Sequence, residues 1–374
     1  MKKPKLQILS IFLLAILFTI NVGIVANAQT DPVIEITEIG SFDTYIPSFG
    51  PQGWAANVQV QNDIAYVSDL ITGLRIINVS DPSNPTPIGH YYEDVEELHE
   101  IFVDGNLVYL ADYHNGFKIL NVSDPADPTL EATFDDGGEV GRFEIVGNLA
   151  FIVDFVDGLE IVNISDLTSL TEIVQYDTDI NNMYNIEIVG NLAYASDFVS
   201  DTESKIKVLN ISDIHSIDEL AEFTIAGEPF SIDFIGNIGY SVCSYSGMKV
   251  FNVSDPLSLP ELGSHYDGGN AVAIDFWEGY AVVADRDDGL EVLNIVNPSN
   301  PFKVASYFDG GSAAGIHVVD DLIFVADGED GLEILEIEVP MESPDTLDPT
   351  LVILIIGAIG LIAVVALAFK VKRG

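Results

Sequence analysis

The sequence predicts an all-β protein: a seven-bladed β-propeller of four-stranded blades, closed by its N-terminal strand and followed by one C-terminal transmembrane helix. Three observations predict it. A phrase of the form GLRIINVSDP recurs seven times at a nearly constant interval. Each copy sits among short runs rich in Val, Ile, Tyr and Phe that turn residues separate. A single long apolar run, Leu351 to Phe369, stands near the C-terminus.

The chain opens MKKPK, continues as an apolar run from Leu6 to Val25, and reaches Ala26-Asn27-Ala28. A basic start, an apolar middle and an A-x-A-like end predict a signal peptide over residues 1–28. The apolar run is long for such a segment, which leaves an uncleaved anchor as the other reading. Asp31-Pro32 already begins the repeat pattern and favours cleavage.

The repeat aligns on Asn78, Asn121, Asn163, Asn210, Asn252 and Asn294, with Glu336 in the last copy, at spacings of 43, 42, 47, 42, 42 and 42. A fixed period near forty marks a propeller or another stacked array. The first unit holds four extended runs, NVQVQ, IAYVSD, GLRIINV and PTPIGHYY, which become strands A to D from the axis outward. The last unit has three runs and no fourth. The segment DPVIEITEIGSFDTY, from Asp31 to Tyr45, matches the fourth-strand phrase DPTLEATFDD, so it is expected to complete the last blade. Ring closure also removes the two unpaired edges of a linear stack. The propeller is thus placed at 31–338, with a linker at 339–349.

The pairing of AYVSD with GLRIINVSDP, repeated around the chain, resembles the LVIVD repeat family of bacterial and archaeal surface proteins. The resemblance covers Asp31 to about Glu338. It implies a propeller and a surface location, and no particular chemistry.

The apolar run at 350–369 is long enough to cross roughly 30 Å of hydrocarbon. Lys370, Lys372 and Arg373 in the tail, 370–374, are expected to hold that end in the cytoplasm. The chain is therefore expected to be a single-pass cell-membrane protein with an extracellular propeller. Three lysines precede the first apolar run and three basic residues follow the second, which leaves eight basic against 59 acidic residues outside, a net of −51. Such a surface excludes nucleic acid as a partner. The single cysteine, Cys243, excludes an internal disulfide framework, so the domain must be stable by packing.

Strand order puts the A–B and C–D turns on one face and the B–C turns and D–A crossings on the other. The second face is acidic. Its B–C turns open with Asp69, Asp112, Asp154, Asp197, Asp285 and Asp327, and Cys243 takes that place in the fifth blade. Asp before Gly reads first as a turn former. The crossings carry Asp43, Glu93, Asp135, Asp177, Asp267 and Asp309, with Thr224 in the fifth blade. The starts of the A strands vary most between blades. His99, Glu100, Arg142, Tyr184 and Asn185 are the candidate binding patch at the channel mouth, with an Arg142–Glu100 ion pair as the structural alternative. On the opposite face, Asn78, Asn121, Asn163, Asn210 and Asn252 head N-x-S/T sequons, which mark glycosylation sites or simply Asx turns copied with the repeat.

No H-E-x-x-H, C-x-x-C, G-x-S-x-G or phosphate-loop motif occurs. No cofactor and no dedicated metal site is expected. DRDDG (285–289) and DGEDG (327–331) lack the order of a calcium loop and suggest at most a weak surface calcium site. The expected function is non-catalytic binding or adhesion to an extracellular protein or surface-layer component. The alternative is an extracellular polymer-processing hydrolase or lyase using acidic loops of the propeller face.

Overall fold

The computed structural model describes residues 33–44, 53–93, 95–176, 183–200, 203–286 and 288–339. The signal peptide, nearly all of the linker, the apolar span, the tail and Asp177 lie outside the described residues. Among the described residues every regular element is a strand, and no helix is long and apolar enough to cross a membrane.

Twenty-eight strands form seven antiparallel four-stranded sheets. Blade 1 consists of Ala55–Gln61, Ile64–Asp69, Gly73–Asn78 and Thr86–Tyr91, strands A to D in that order. Blades 2 to 6 repeat this order. Blade 7 takes its D strand from the other end of the chain: Glu35–Phe42 pairs with Leu332–Glu338, Glu35 opposite Glu338 and Phe42 opposite Leu332. The same irregularity marks every D strand. One extra residue interrupts the register between Ile76 and Ile77 in blade 1, and an equivalent bulge lies between Glu38 and Gly40 in blade 7. The N-terminal strand is therefore a D strand in detail as well as in position. At the bulge, a side chain on Gly40 would strike the Pro82 carbonyl of the adjoining blade, which explains a glycine there.

The burial pattern accounts for the composition of each run. Strands B and C are covered on both faces, so IAYVSD and GLRIIN are buried almost throughout and read as continuous apolar runs. Strand D lies outermost and consists mostly of exposed and half-buried residues. The core is divided into seven hydrophobic clusters, one in each gap between neighbouring blades. In one such gap, Tyr66, Leu74 and Ile76 of blade 1 pack on Leu98, Ile101 and Leu110 of blade 2. A blade cannot bury its own faces; its neighbours do so. The glycine that opens the recurrent phrase has a positive φ, between 66° and 88°, at Gly73, Gly116, Gly158, Gly247, Gly289 and Gly331. That backbone region turns the chain sharply from strand B into strand C and is open to glycine without strain.

Blade 4 corrects one expectation. Its extra residues, in SDFVSDTESK, fall at the B–C turn. They lengthen strands B and C to Leu192–Ser200 and Glu203–Asn210, a hairpin arm with Phe198 opposite Ser204. The D strand lengthens with them, to Asp218–Ile225, so Thr224 is not a crossing residue but a strand residue paired with Lys205. Backbone pairing absorbs the insertion by extending an existing ladder.

Candidate functional site

The B–C aspartates form the frame of the candidate face. All six are buried, between 0 and 3% exposed. Two shape their own turns: Asp69 Oδ1 accepts the N–H groups of Ile71 and Thr72, and Asp154 Oδ1 those of Val156 and Asp157. They also hold the crossing that enters the blade. Asp69 Oδ2 accepts the Trp54 N–H at 3.0 Å and the Thr44 hydroxyl at 2.8 Å, and Asp112 Oδ1 accepts the N–H groups of Glu96 and Glu97. In blades 6 and 7 the crossing donors are the N–H groups of Asn270 and Ser312. The second glycine of each Gly-Gly pair follows from this contact. A side chain on Gly138, Gly269 or Gly311 would occupy the place of the Asp154, Asp285 or Asp327 carboxylate. In blade 5, Cys243 is buried beside Ser241, and burial pushes its thiol up to about 12. It is packed and protonated rather than reactive.

The mouth residues share one place in the ladder. In blades 1 to 4 the A strand carries a bulge, and Ala56, His99, Gly141 and Tyr184 are the extra residues. A bulge re-aims a side chain out of the alternating pattern. Blades 5 to 7 enter their A strands without this bulge. The asymmetry around the mouth is thus a backbone difference as well as a sequence one.

The five predicted residues divide into two groups. Arg142 donates to Glu100 Oε2 at 2.9 Å, and Asn57 Nδ2 to Glu100 Oε1 at 3.0 Å, so three successive blades are tied together. Burial raises the Glu100 carboxyl and Arg142 pulls it back down. Arg142 is therefore paired, as the structural alternative had it. Asn185 is buried, and its Oδ1 accepts the Ile186 N–H. His99 and Tyr184 belong instead to an aromatic arc across the face. His99 lies 5.3 Å from Tyr113, Tyr113 5.7 Å from Phe155, Phe155 5.2 Å from Tyr184, and Tyr184 5.7 Å from Phe230, between ring centroids. Phe198 of the hairpin arm joins at Tyr184, and Arg286 of blade 6 sits over the Phe230 ring. Burial first, then neighbouring carboxylates, raise the His99 partner Tyr113 to about 12, and burial lowers His99 itself. The arc therefore presents uncharged rings at neutral pH.

Sequence reasoning missed Tyr113, Phe155 and Phe198, although a signal existed. Each directly follows its B–C aspartate, in Asp112-Tyr113, Asp154-Phe155 and Asp197-Phe198. It also missed the channel wall. Glu144, Glu187, Asp233 and Asp275 come from the A strands of four successive blades. Several channel residues grip the next blade: Gln59 accepts the Val103 N–H, Asp275 the Val318 N–H at 2.7 Å, and His317 the Val60 N–H at 3.1 Å.

On the opposite face, Asn78, Asn121, Asn163, Asn210 and Asn252 each accept the N–H two residues on, at 2.9 to 3.1 Å. Asn294 makes the same bond to Val296 without a sequon. Turn geometry alone accounts for the recurrence of this asparagine.

The LVIVD repeat profile matches residues 52–93, 98–136, 137–178, 268–309 and 310–343, together more than half of the chain. The chain belongs to the LVIVD repeat family. Blades 4 and 5, which carry the hairpin arm and Cys243, lie between the matched segments of this LVIVD repeat protein. Comparison with curated proteins returned no match. Among solved structures the chain is similar to a computationally designed protein, Ika8, at 12% identity and a TM-score of 0.56, covering 80% of this chain and 99% of that one. It is likewise similar to the N-terminal domain of Nup159, at 12% identity and a TM-score of 0.53, over 83% of this chain and 97% of that one. A third similarity is to a chain in a complex of S. cerevisiae Dbp5 with Nup159, Gle1, IP6 and ADP, at 13% identity and a TM-score of 0.54, over 83% and 96%. At such identities the likeness concerns the fold alone.

Proposed function

We propose that this LVIVD repeat protein is a non-catalytic, membrane-anchored cell-surface scaffold whose B–C and D–A face binds an extracellular protein or surface-layer component. The observation that carries this reading is the aromatic arc from His99 through Tyr113, Phe155 and Tyr184 to Phe230. Large rings with few rotatable bonds give contact area at low entropic cost, and Tyr is enriched at binding hot spots. The face also holds the hairpin arm of blade 4, the largest departure from the repeat period. The opposite face repeats one turn, blade after blade, as a structural element does. The signal-like N-terminus, the apolar run at 350–369 and its basic tail support an extracellular propeller anchored from its C-terminal side. The channel carboxylates Glu144, Glu187, Asp233 and Asp275 come one each from blades 3 to 6, and Glu144 and Asp275 hold the backbone of the next blade, which supports a scaffold over a hydrolase or lyase.

The test is binding of the full-length protein to extract of its native cell surface. Tyr184→Ala combined with Phe155→Ala is expected to weaken binding about tenfold or more while the far-ultraviolet spectrum is kept. Ser83→Ala with Asn84→Ala, exposed on the opposite face, is expected to leave it unchanged. The reverse pattern would mean that the faces are wrongly assigned. Arg142→Ala is a poorer probe, because it strands Glu100 without its cation.

A further inference from the structure

Each blade places the third residue of the recurrent phrase on strand C, in the gap behind its B–C turn. The seven residues are Arg75, Lys118, Glu160, Lys207, Lys249, Glu291 and Glu333. Four are cations and three are carboxylates, at one structural position. The difference is balanced in some blades and not in others.

In blade 2, Lys118 Nζ lies 2.5 Å from Asp112 Oδ2, both side chains almost wholly buried. In blade 1 the buried Arg75 faces Asp69 and Asp43. In blade 4, Lys207 pairs with Glu219 at 2.9 Å and Glu222 at 3.4 Å. Blade 5 has Cys243 in place of the acid, so there is less charge to offset. Blade 6 has the carboxylate Glu291, yet Lys303 on its D strand reaches Glu291 at 2.9 Å and also bonds Asp267. In these five blades the gap holds a cation of the chain or lacks the turn aspartate, although both Asp197 oxygens in blade 4 and Asp285 Oδ1 in blade 6 accept no hydrogen bond.

Blades 3 and 7 differ. The D-strand position of Lys303, opposite Leu293, is filled by Glu172, opposite Val162, and by Glu38, opposite Leu335. Asp136, Asp154 and Asp157 each bring one oxygen to a point where all lie within 4.8 Å of one another, and so do Asp309, Asp327 and Asp330. Among the described residues no ion pair is made by Asp136, Asp154, Glu160, Asp309, Asp327 or Glu333. Glu160 is 0% exposed, and neither of its side-chain oxygens has a hydrogen-bond donor; Asp154 Oδ2, equally buried, has none either. Asp327 Oδ1 repeats this in blade 7 at 3% exposure. Glu160 lies within hydrogen-bonding reach of Asp136, and Glu333 of Asp309, so pairs of acceptors meet with no donor between them. A buried charge without a partner is costly, and it is met by a proton or by a cation. Two ligands on opposite sides of a calcium ion, each at about 2.4 Å, stand about 4.8 Å apart. The oxygens are close enough to share one such ion, and oxygen-only donors suit a hard cation.

We propose that blades 3 and 7 each bind one calcium ion, at Asp136, Asp154, Asp157 and Glu160 and at Asp309, Asp327, Asp330 and Glu333, where blades 1, 2, 4 and 6 use a lysine or an arginine. Each site joins a crossing residue, two residues of the B–C turn and one of strand C. The ion therefore fastens a crossing loop to the blade it enters. DGEDG supplies two of the blade 7 ligands; the other two come from outside that loop, which is why the loop alone does not resemble a calcium motif.

The test uses the full-length protein, stripped with chelator and titrated with calcium chloride in a calorimeter. Two ions per chain are expected, with dissociation constants on the order of 10⁻⁴–10⁻³ M, the range of extracellular calcium modules. The melting temperature of the stripped protein should rise with calcium. Glu160→Lys and Glu333→Lys, which import the blade 2 solution, should each remove one ion and should each melt higher than stripped wild type when no calcium is present. Glu160→Gln, a neutral isostere, should also remove one ion, and it guards against a lysine that does not fit. Absence of binding and of any thermal shift at about 10 mM calcium overturns the proposal. So does retention of two ions when both lysines are present. A stoichiometry of one, lost through only one of the two positions, overturns the assignment for the other blade. Equal stabilisation by magnesium at the same concentration overturns the choice of calcium.

Discussion

Blades 2 and 3 are adjacent, have the same four strands and the same bulges, and carry opposite charges at one buried position, Lys118 against Glu160. In blade 2 the chain supplies the counter-charge of its turn aspartate. In blade 3 it supplies a second carboxylate instead. The apolar residues around the two positions are nearly interchangeable: Phe117, Ile119 and Leu120 stand where Leu159, Ile161 and Val162 stand. The fold thus asks only that the position be long, and that the charge in the gap be balanced. Packing sets the architecture, and the polar residues left inside it record what each gap has to hold.

The severest way to break the comparison is to open the ring. Deleting Glu35–Phe42 strips the outer strand from blade 7 and uncovers the edge of Leu332–Glu338. Aggregation, or loss of a single cooperative transition, is expected in denaturant titration followed by light scattering, because an unpaired edge recruits other strands. A monomeric deletion variant of unchanged midpoint would contradict ring closure as the source of stability.

Lys118→Met acts within blade 2 alone. It leaves Asp112 buried with two backbone donors and without its cation. Breaking a buried pair from one side costs about 3–5 kcal/mol, which a denaturant midpoint would register. A loss below about 1 kcal/mol would mean that the pair is not the counterpart of the blade 3 cluster.

The channel provides a control on the same physics without a strand-C position. Burial, then Glu144, Asp233 and Glu100, push Glu187 up to about 9, while Glu144 reaches about 7 and Asp233 about 6. These folded values exceed the unfolded values, about 4.3 for Glu and about 3.9 for Asp, so the folded state binds more protons between the two. Their contribution to stability is present below about pH 4.3 and is lost as pH rises towards 9. The melting temperature should therefore climb as pH is lowered from about 9 to about 6, and Glu187→Gln should flatten that slope. An equal slope in the variant would assign the effect to other groups. The smallest effect is expected in blade 5. Cys243→Ser should shift the melting temperature by no more than a few degrees and leave the oligomeric state unchanged, since the thiol is buried and forms no disulfide. A dimer on non-reducing gels that the substitution abolishes would show an intermolecular bridge.

The fold was legible because its determinants are local and repeated. Period, turn residues and the missing fourth strand all stand in the linear text, and Asp31-Pro32 marks the first segment as a displaced D strand. The site was legible only in part. Arg142 and Tyr184 stood out by departing from the repeat, but what each touches depends on neighbouring blades about forty residues away. Tyr113 and Phe155 were not legible because a turn-forming aspartate already accounts for the break in pattern at each place. The charges of strand C went unnoticed because Lys and Glu on an alternating strand read as solvent-facing; here both faces of the strand are covered. That the insertion of blade 4 pairs as a hairpin arm was not legible, because an insertion next to a turn carries no mark of whether it will pair.

The borrowed strand also sets a timetable. Glu35 and Glu338 are partners although 303 residues separate them. A chain made from its N-terminus produces the closing strand first and the strand it closes on last. Blades 1 to 6 can each pair internally as they emerge, since their four strands are consecutive. The first segment can only wait, an extended and partly apolar ribbon, until the final strand is complete. Contacts of such long range are slow to form. Any truncation before Leu332 therefore leaves two orphans at once, the waiting ribbon and the open seventh blade, which makes the finished ring a check that synthesis has passed Glu338.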